Sequence, residues 1–190
     1  MRYAFQVQYV GKNYAGSQIQ FENGEQIVTP TIQGELEKAL CTLIFAKKCK
    51  YTQNLYNDFS QDNQMEIKRK NNRPIKTVFS GRTDRGVHAY SQGVCFELNG
   101  SVPTEKLKDV INRVLNNYVH INYVEEVSDD FHPRFDAKMK KYEYVINLGE
   151  FDPIINDYVY NYNNKLNIKK MRSASKSFIG FHSFKAFTSG

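Results

Sequence analysis

Residues 2–10 alternate strictly: Tyr3, Phe5, Val7 and Tyr9 fall on one face, and Arg2, Ala4, Gln6 and Gln8 on the other. That period of two predicts a half-buried strand. Residues 11–25 are rich in Gly, Asn and Gln and predict a loop. Ile32, Leu36, Ala39, Leu40, Leu43 and Ile44 then recur at helical spacing behind Thr31, a suitable N-cap. Residues 47–74 keep no period; they are polar, end in the basic run Lys68-Arg69-Lys70, and predict a long insertion. A strand at about 75–80 (Ile75, Val78, Phe79) leads into a turn, and a second strand covers 92–98 with Val94, Phe96 and Leu98 on one face. Pro103 suits a first helical turn, and Leu107, Val110, Ile111, Val114 and Leu115 predict a second amphipathic helix. Residues 121–127 predict a strand.

The order is β-α-β-β-α-β, the ferredoxin-like split unit. It makes an α+β fold in which two helices cover one face of an antiparallel sheet and leave the other face free. Beyond it, Tyr142–Ile146 and Tyr158–Tyr162 predict strands, and Ile168, Met171, Ala174 and Phe178 predict a helix over 167–178. These elements look like the start of a second unit. The expected organisation is a first domain at 1–137, carrying the 47–74 insertion, and an incomplete second domain at 138–190. The closing aromatics Phe178, Phe181, Phe184 and Phe187 are expected to lack anything in the remaining sequence to pack on.

Composition narrows the class. The chain has 190 residues, 41% of them hydrophobic, which excludes wholesale disorder and suits one domain or one and part of another. The longest apolar run is the four residues Leu43–Ala46, so no membrane helix is expected, and the alternating N-terminus has no signal-peptide core. Cys41, Cys49 and Cys95 match no disulfide framework or zinc spacing, so a reducing, cytoplasmic setting is expected. A net charge of +6 leans towards a polyanionic partner without specifying one.

The densest polar cluster is Ser80-Gly81-Arg82-Thr83-Asp84-Arg85-Gly86-Val87-His88-Ala89, between two strands. The residues alone leave two readings. In the commoner one, Asp84 bonds backbone amides in an ordinary turn. In the other, Arg82 and Arg85 flank a carboxylate held ionised, as a nucleophile must be, and also offer phosphate ligands.

The run SGRTDRGVHAYSQ resembles the G-R-T-D-x-G-V-H-A signature of the tRNA pseudouridine synthase A family. Further matches follow in order. Tyr14-Ala15-Gly16-Ser17-Gln18 resembles Y-x-G-W-Q, and Thr31 to Glu37 resembles the family's helix start. Asp130 to Ala137 resembles D-F-x-A-R-F-S-A, Lys141 to Tyr144 resembles R-x-Y-x-Y, and Phe178 to Phe184 resembles L-x-G-x-H-D-F. The likeness covers nearly the whole chain outside 47–74.

The resemblance implies that Asp84 is the catalytic carboxylate, attacking the target nucleotide at the ribose or at the uracil ring. The N-glycosidic bond breaks, the uracil turns and rejoins the sugar through carbon, and no cofactor or metal is needed. Arg82 would fill the gap left by the extruded base. Tyr142 would stack on that base or sit against Asp84; by itself it reads as a buried strand tyrosine. Thr83, Arg85 and His88 complete the implied substrate-binding set. His88, His120, His132 and His182 lack metal-ligand spacing and read as structural or RNA-contacting. Lys138, Lys140 and Lys141, and Lys165, Lys169, Lys170, Arg172 and Lys176, would ordinarily be solvated faces; the resemblance implies phosphate contacts for some.

The implied activity converts uridine to pseudouridine in the anticodon stem-loop of tRNA, at positions 38–40, with a homodimer carrying the tRNA across both subunits. Two alternatives stand beside it: a non-catalytic ferredoxin-like RNA-binding fragment, and an inactive N-terminal piece of a split synthase. The aromatic signature of RNA-recognition motifs is not evident in 92–98. Ser17 stands where the family has Trp, which is expected to loosen packing at that loop, and Ser183 stands where it has Asp. Family members continue into a further half that supplies a basic partner for the catalytic Asp and the other wall of the cleft. The chain alone is therefore expected to fold poorly or associate, and to turn over tRNA slowly or not at all.

Overall fold

The computed structural model describes residues 1–22, 25–26, 29–48 and 75–188. Cys49 and the Lys68-Arg69-Lys70 cluster lie outside these, as does nearly all of the expected 47–74 insertion. The chain divides into two units, Met1–Lys140 and Lys141–Gly190.

In the first unit, β1 (Arg2–Tyr9) pairs antiparallel with both β5 (Ala89–Glu97) and β6 (Val119–Val127). The short β4 (Val78–Phe79) pairs antiparallel with β5, giving the order β4-β5-β1-β6. This is the strand order of the split unit. Helices α1 (Ile32–Lys48) and α2 (Thr104–Val114) supply its two crossovers. Tyr3, Phe5, Val7 and Tyr9 are buried, while Gln6 and Gln8 are exposed, as the alternation predicts. They meet Val94, Phe96 and Leu98 of the β5 segment, Ile121 and Val124 of β6, Ile32, Leu36 and Leu40 of α1, and Leu107 and Ile111 of α2. Each such side chain contributes roughly 1.5–3 kcal/mol on burial. The Phe96 ring anchors the centre, 5.7 Å from Tyr3 and 5.3 Å from Phe5.

Thr31 caps α1 as expected: its Oγ1 accepts the Gly34 amide at 3.1 Å. The helix runs four residues past Ile44, to Lys48, because Ala46, Lys47 and Lys48 are good helix formers. Residues 11–25 hold more than a loop: a single 3-10 turn, Gly11–Asn13, and a small pair formed by β2 (Phe21–Glu22) and β3 (Glu25–Gln26). The strand expected at 75–80 shrinks to two residues, since Thr77 gives both its amide (2.9 Å) and its hydroxyl (3.0 Å) to Glu37 Oε1. Gln33, one turn earlier on α1, adds a bond from Nε2 to the same carboxylate and to the Thr77 carbonyl, each at 3.1 Å. These buried polar groups tie α1 to the chain entering the β4–β5 turn.

In the second unit the expected strand at Tyr142–Ile146 is reduced to β7 (Ile146–Asn147), parallel with β8 (Tyr160–Asn161). Its alternating tyrosines bury nothing: Tyr142 and Tyr144 are each 79% exposed. The helix α3 (Ile168–Ser175) forms behind an N-cap, Asn167, and continues as a 3-10 turn to Phe178. None of the described residues of this unit is buried. Three of the closing aromatics meet each other, Phe178 lying 6.3 Å from Phe184 and 5.5 Å from Phe187, ring centre to ring centre, while Phe181 is fully exposed. Among the described residues, no helix is long and apolar enough to cross a membrane.

Candidate active site

The polar cluster forms the turn from β4 to β5. Ser80 extends the ladder by one bond, its amide donating to the Gly93 carbonyl at 2.8 Å. The chain then reverses at Asp84–Val87, closed by the Val87 amide on the Asp84 carbonyl at 3.2 Å, with Gly86 at φ +81°. The turn is thus closed by backbone, and the Asp84 side chain plays no part in it.

The backbone before Asp84 is braced from three directions. The buried Tyr9 hydroxyl bonds Thr83 Oγ1 at 2.8 Å and also donates to Gln92 Oε1. The Gln92 amide nitrogen donates to the Gly81 carbonyl. Ser17 binds Thr83 twice: its Oγ accepts the Thr83 amide at 2.8 Å, and its own amide donates to the Thr83 carbonyl at 3.0 Å. Burial pushes the Tyr9 hydroxyl pKa up, partly opposed by its bond to Thr83, so the group remains a proton donor. After the turn, His88 Nδ1 accepts the Gly11 amide at 3.2 Å.

On this braced backbone Arg82, Asp84 and Arg85 all point into solvent. Among the described residues no hydrogen bond or ion pair engages the Asp84 carboxylate. Arg82 and Arg85 flank Asp84 in the chain but form no ion pair with it: exposed groups gain too little from an ion pair to offset the ordering of two long side chains. The expectation of looser packing at Ser17 is also overturned. Ser17 is 1% exposed, and its small hydroxyl takes up a backbone amide instead of filling volume.

Beside this turn, still within the first unit, opens a cleft of about 600 Å³. Ser17, Gln33 and Thr77 contribute to its lining, and Arg82, Arg134 and Lys140 bring three cations to it. The segment carrying Arg134 is held by Arg2, whose guanidinium bonds the carbonyls of Asp129 and, at 3.0 Å, Phe131. It then folds on itself through His132, whose amide donates to Asp136 Oδ2 at 2.7 Å and whose ring lies 4.4 Å from that of Phe135.

The structure thus brings Arg82, Thr83, Asp84, Arg85 and His88 together in one turn of the first unit, with Thr83 and His88 turned towards the protein. Tyr142 belongs to the second unit and is exposed, contrary to its reading as a buried strand residue. Sequence reasoning missed Tyr9, Ser17 and Gln92. For Gln92 a signal existed: it falls in phase with Val94, Phe96 and Leu98, and a polar residue on a core face implies a buried hydrogen bond.

The profile of the tRNA pseudouridine synthase family matches residues 6–136. Relatives called tRNA pseudouridine synthase A include those of Pseudothermotoga lettingae, 34% identical over 95% of this chain and 61% of its own length, and Leuconostoc mesenteroides, 34% over 98% and 64%. That of Malacoplasma penetrans is 34% identical over 99% of this chain and 65% of its own length. The chain thus spans less than two thirds of the length of these relatives. With the family profile covering the braced turn, the sheet and both crossover helices, the chain belongs to the tRNA pseudouridine synthase family.

Proposed function

We propose that this chain carries the reacting carboxylate of an isomerase that converts uridine to pseudouridine in tRNA, in the anticodon stem-loop at positions 38–40, as a homodimer in a reducing, cytoplasmic setting. The observation that carries the reading is Asp84. Its carboxylate is exposed and uncommitted, while the backbone beneath it is held by Ser17, Tyr9 and Gln92. A side chain kept free on an immobilised backbone suits a nucleophile, because little ordering remains for the moment of reaction.

In the proposed sequence the Asp84 carboxylate adds to the ribose or to the uracil ring, and the bond between N1 and the sugar breaks. The uracil turns so that C5 faces the sugar carbon, and a carbon–carbon bond forms. C5 loses its proton, N1 gains one, and the carboxylate is released, so composition is unchanged. Arg82 takes the place of the extruded base, Arg85 contacts the RNA backbone, and Tyr142 stacks on the flipped uracil. Arg134 and Lys140, on the cleft beside the turn, suit the flanking phosphates.

The test is Asp84→Asn. The residue is exposed, so the fold should be unchanged, and tritium release from tRNA labelled at uridine C5 should vanish while tRNA binding stays within a few-fold. Full activity in this variant would end the assignment. The share of its relatives' length that the chain spans favours a second reading, a part that binds tRNA without turning it over. Binding with no tritium release from the wild-type chain identifies that case.

A further inference from the structure

We infer that Ser17 is the positioning residue for the Asp84 carboxylate. The inference rests on Asp84 being the reacting group, which Asp84→Asn tests separately. Thr83 lies between two peptide planes, one joining it to Arg82 and one joining it to Asp84. Ser17 holds both: its hydroxyl oxygen accepts the Thr83 amide at 2.8 Å, and its amide donates to the Thr83 carbonyl at 3.0 Å. Peptide planes are rigid, so fixing both fixes φ and ψ of Thr83 and hence the position and direction of the Asp84 Cα.

The other two braces cannot do this. Tyr9 bonds the Thr83 side chain and Gln92 bonds the Gly81 carbonyl, and neither touches the Thr83–Asp84 peptide. The anchor itself is rigid. The Ser17 carbonyl accepts the Gln33 amide at 2.9 Å and the Gly16 carbonyl accepts the Ile32 amide at 3.2 Å, so both plug into the first turn of α1. Gly16 sits at φ +116°, and a Cβ there would lie 2.8 Å from the Thr83 carbonyl oxygen. The approach of the two strands of chain is therefore as close as the backbone permits. At this separation a serine reaches the amide directly.

The experiment compares the full wild-type chain with Ser17→Ala and with Ser17→Cys, which nearly keeps the volume but offers only a weak acceptor. Ser91→Ala is the control; its hydroxyl bonds Gln6 on the open sheet face, at 3.0 Å. Expected in both Ser17 variants are amide exchange at least tenfold faster at Thr83, and new relaxation dispersion at the Asp84 amide and carboxyl resonances. Core amides such as Phe96 and Val124 should stay unchanged. The rate constant kcat for pseudouridine formation should fall ten- to a hundredfold with KM within twofold. Unchanged Thr83 exchange and Asp84 resonances overturn the inference, whether or not the chain turns over fast enough to assay. So does a loosened Asp84 at full kcat, or a general loss of core protection in Ser17→Cys.

Discussion

Two glycine-to-alanine changes should move stability in opposite directions. An ideal Cβ on Gly11 would lie 2.0 Å from the Val87 carbonyl oxygen and 2.7 Å from its carbon. Both obstacles are backbone, held by the Asp84–Val87 turn on one side and by the start of β5 on the other. No rotamer change relieves the clash, so the Gly11–Asn13 turn and the Val87–His88 segment must separate. Separation also breaks the bond from the Gly11 amide to His88 Nδ1. Forced overpacking costs about 1–3 kcal/mol and the lost hydrogen bond about 0.5–1.5 kcal/mol, so Gly11→Ala should destabilise by roughly 2–4 kcal/mol. A Cβ on Gly93, inside β5, would meet only the Ser80 side chain, at 3.7 Å. Alanine there should stabilise by about 0.5–1 kcal/mol through the lower entropy of the unfolded chain. Urea denaturation followed by far-UV circular dichroism reads both. With slopes of about 1–3 kcal/mol per molar urea, the two midpoints should differ by at least about 0.8 M. A Gly11→Ala midpoint within error of wild type, or a Gly93→Ala variant less stable than Gly11→Ala, would refute the close approach of these two segments.

Stability should also decline in alkali, because burial, with the nearby Glu37 carboxylate, pushes the Cys41 thiol from its ordinary 9.0 to about 11. The folded state keeps a proton that the unfolded state loses, so stability falls as pH rises from about 9 through 11, by on the order of 2 kcal/mol; urea midpoints independent of pH over that window would contradict it. Arg82→Ala should slow pseudouridine formation more on a structured anticodon arm than on a single-stranded uridine substrate, since only the former must unstack its base. Equal losses on both would remove Arg82 from base extrusion.

The parts of this fold readable in the sequence are those where one periodicity faces one core. β1 shows period two and the helices α1 and α2 show period 3.6, and each buries the face its pattern predicts, whereas β6 changes phase between Ile121 and Val124, where its register with β1 shifts. Misreadings arise where a side chain diverts the backbone or where no surface waits to be covered. Thr77 gives its amide to Glu37, so the strand around it is cut to two residues, a fact set by a helix 40 positions away in sequence. Tyr142 and Tyr144 alternate like a strand, yet nothing in their unit is buried, and alternation without burial specifies no pairing. The signature turn was visible as a polar cluster. Whether Asp84 would close that turn, pair with arginine or stand free could not be read, because the backbone beneath it is set by Gln92 together with Ser17 and Tyr9, the last two distant in sequence.

That arrangement carries a thermodynamic argument about where the site obtains its order. Tyr9, Ser17 and Gln92 are buried polar side chains, and each would cost on the order of 1–3 kcal/mol if its hydrogen bonds were unmet. A core could avoid that cost with apolar residues, as the neighbouring positions Val7 and Val94 do on the same sheet face. Instead, all three polar groups converge on one short stretch, Gly81 to Thr83: Ser17 and Gln92 bond its backbone, and Tyr9 bonds the Thr83 hydroxyl. Displacing that stretch would take a hydrogen bond from each of three buried groups at once, so it is held more tightly than an exposed turn of the same length. Arg82, Asp84 and Arg85 contribute nothing to this hold. Their charges can therefore change partners, from water to RNA and back, without loosening the backbone that aims them.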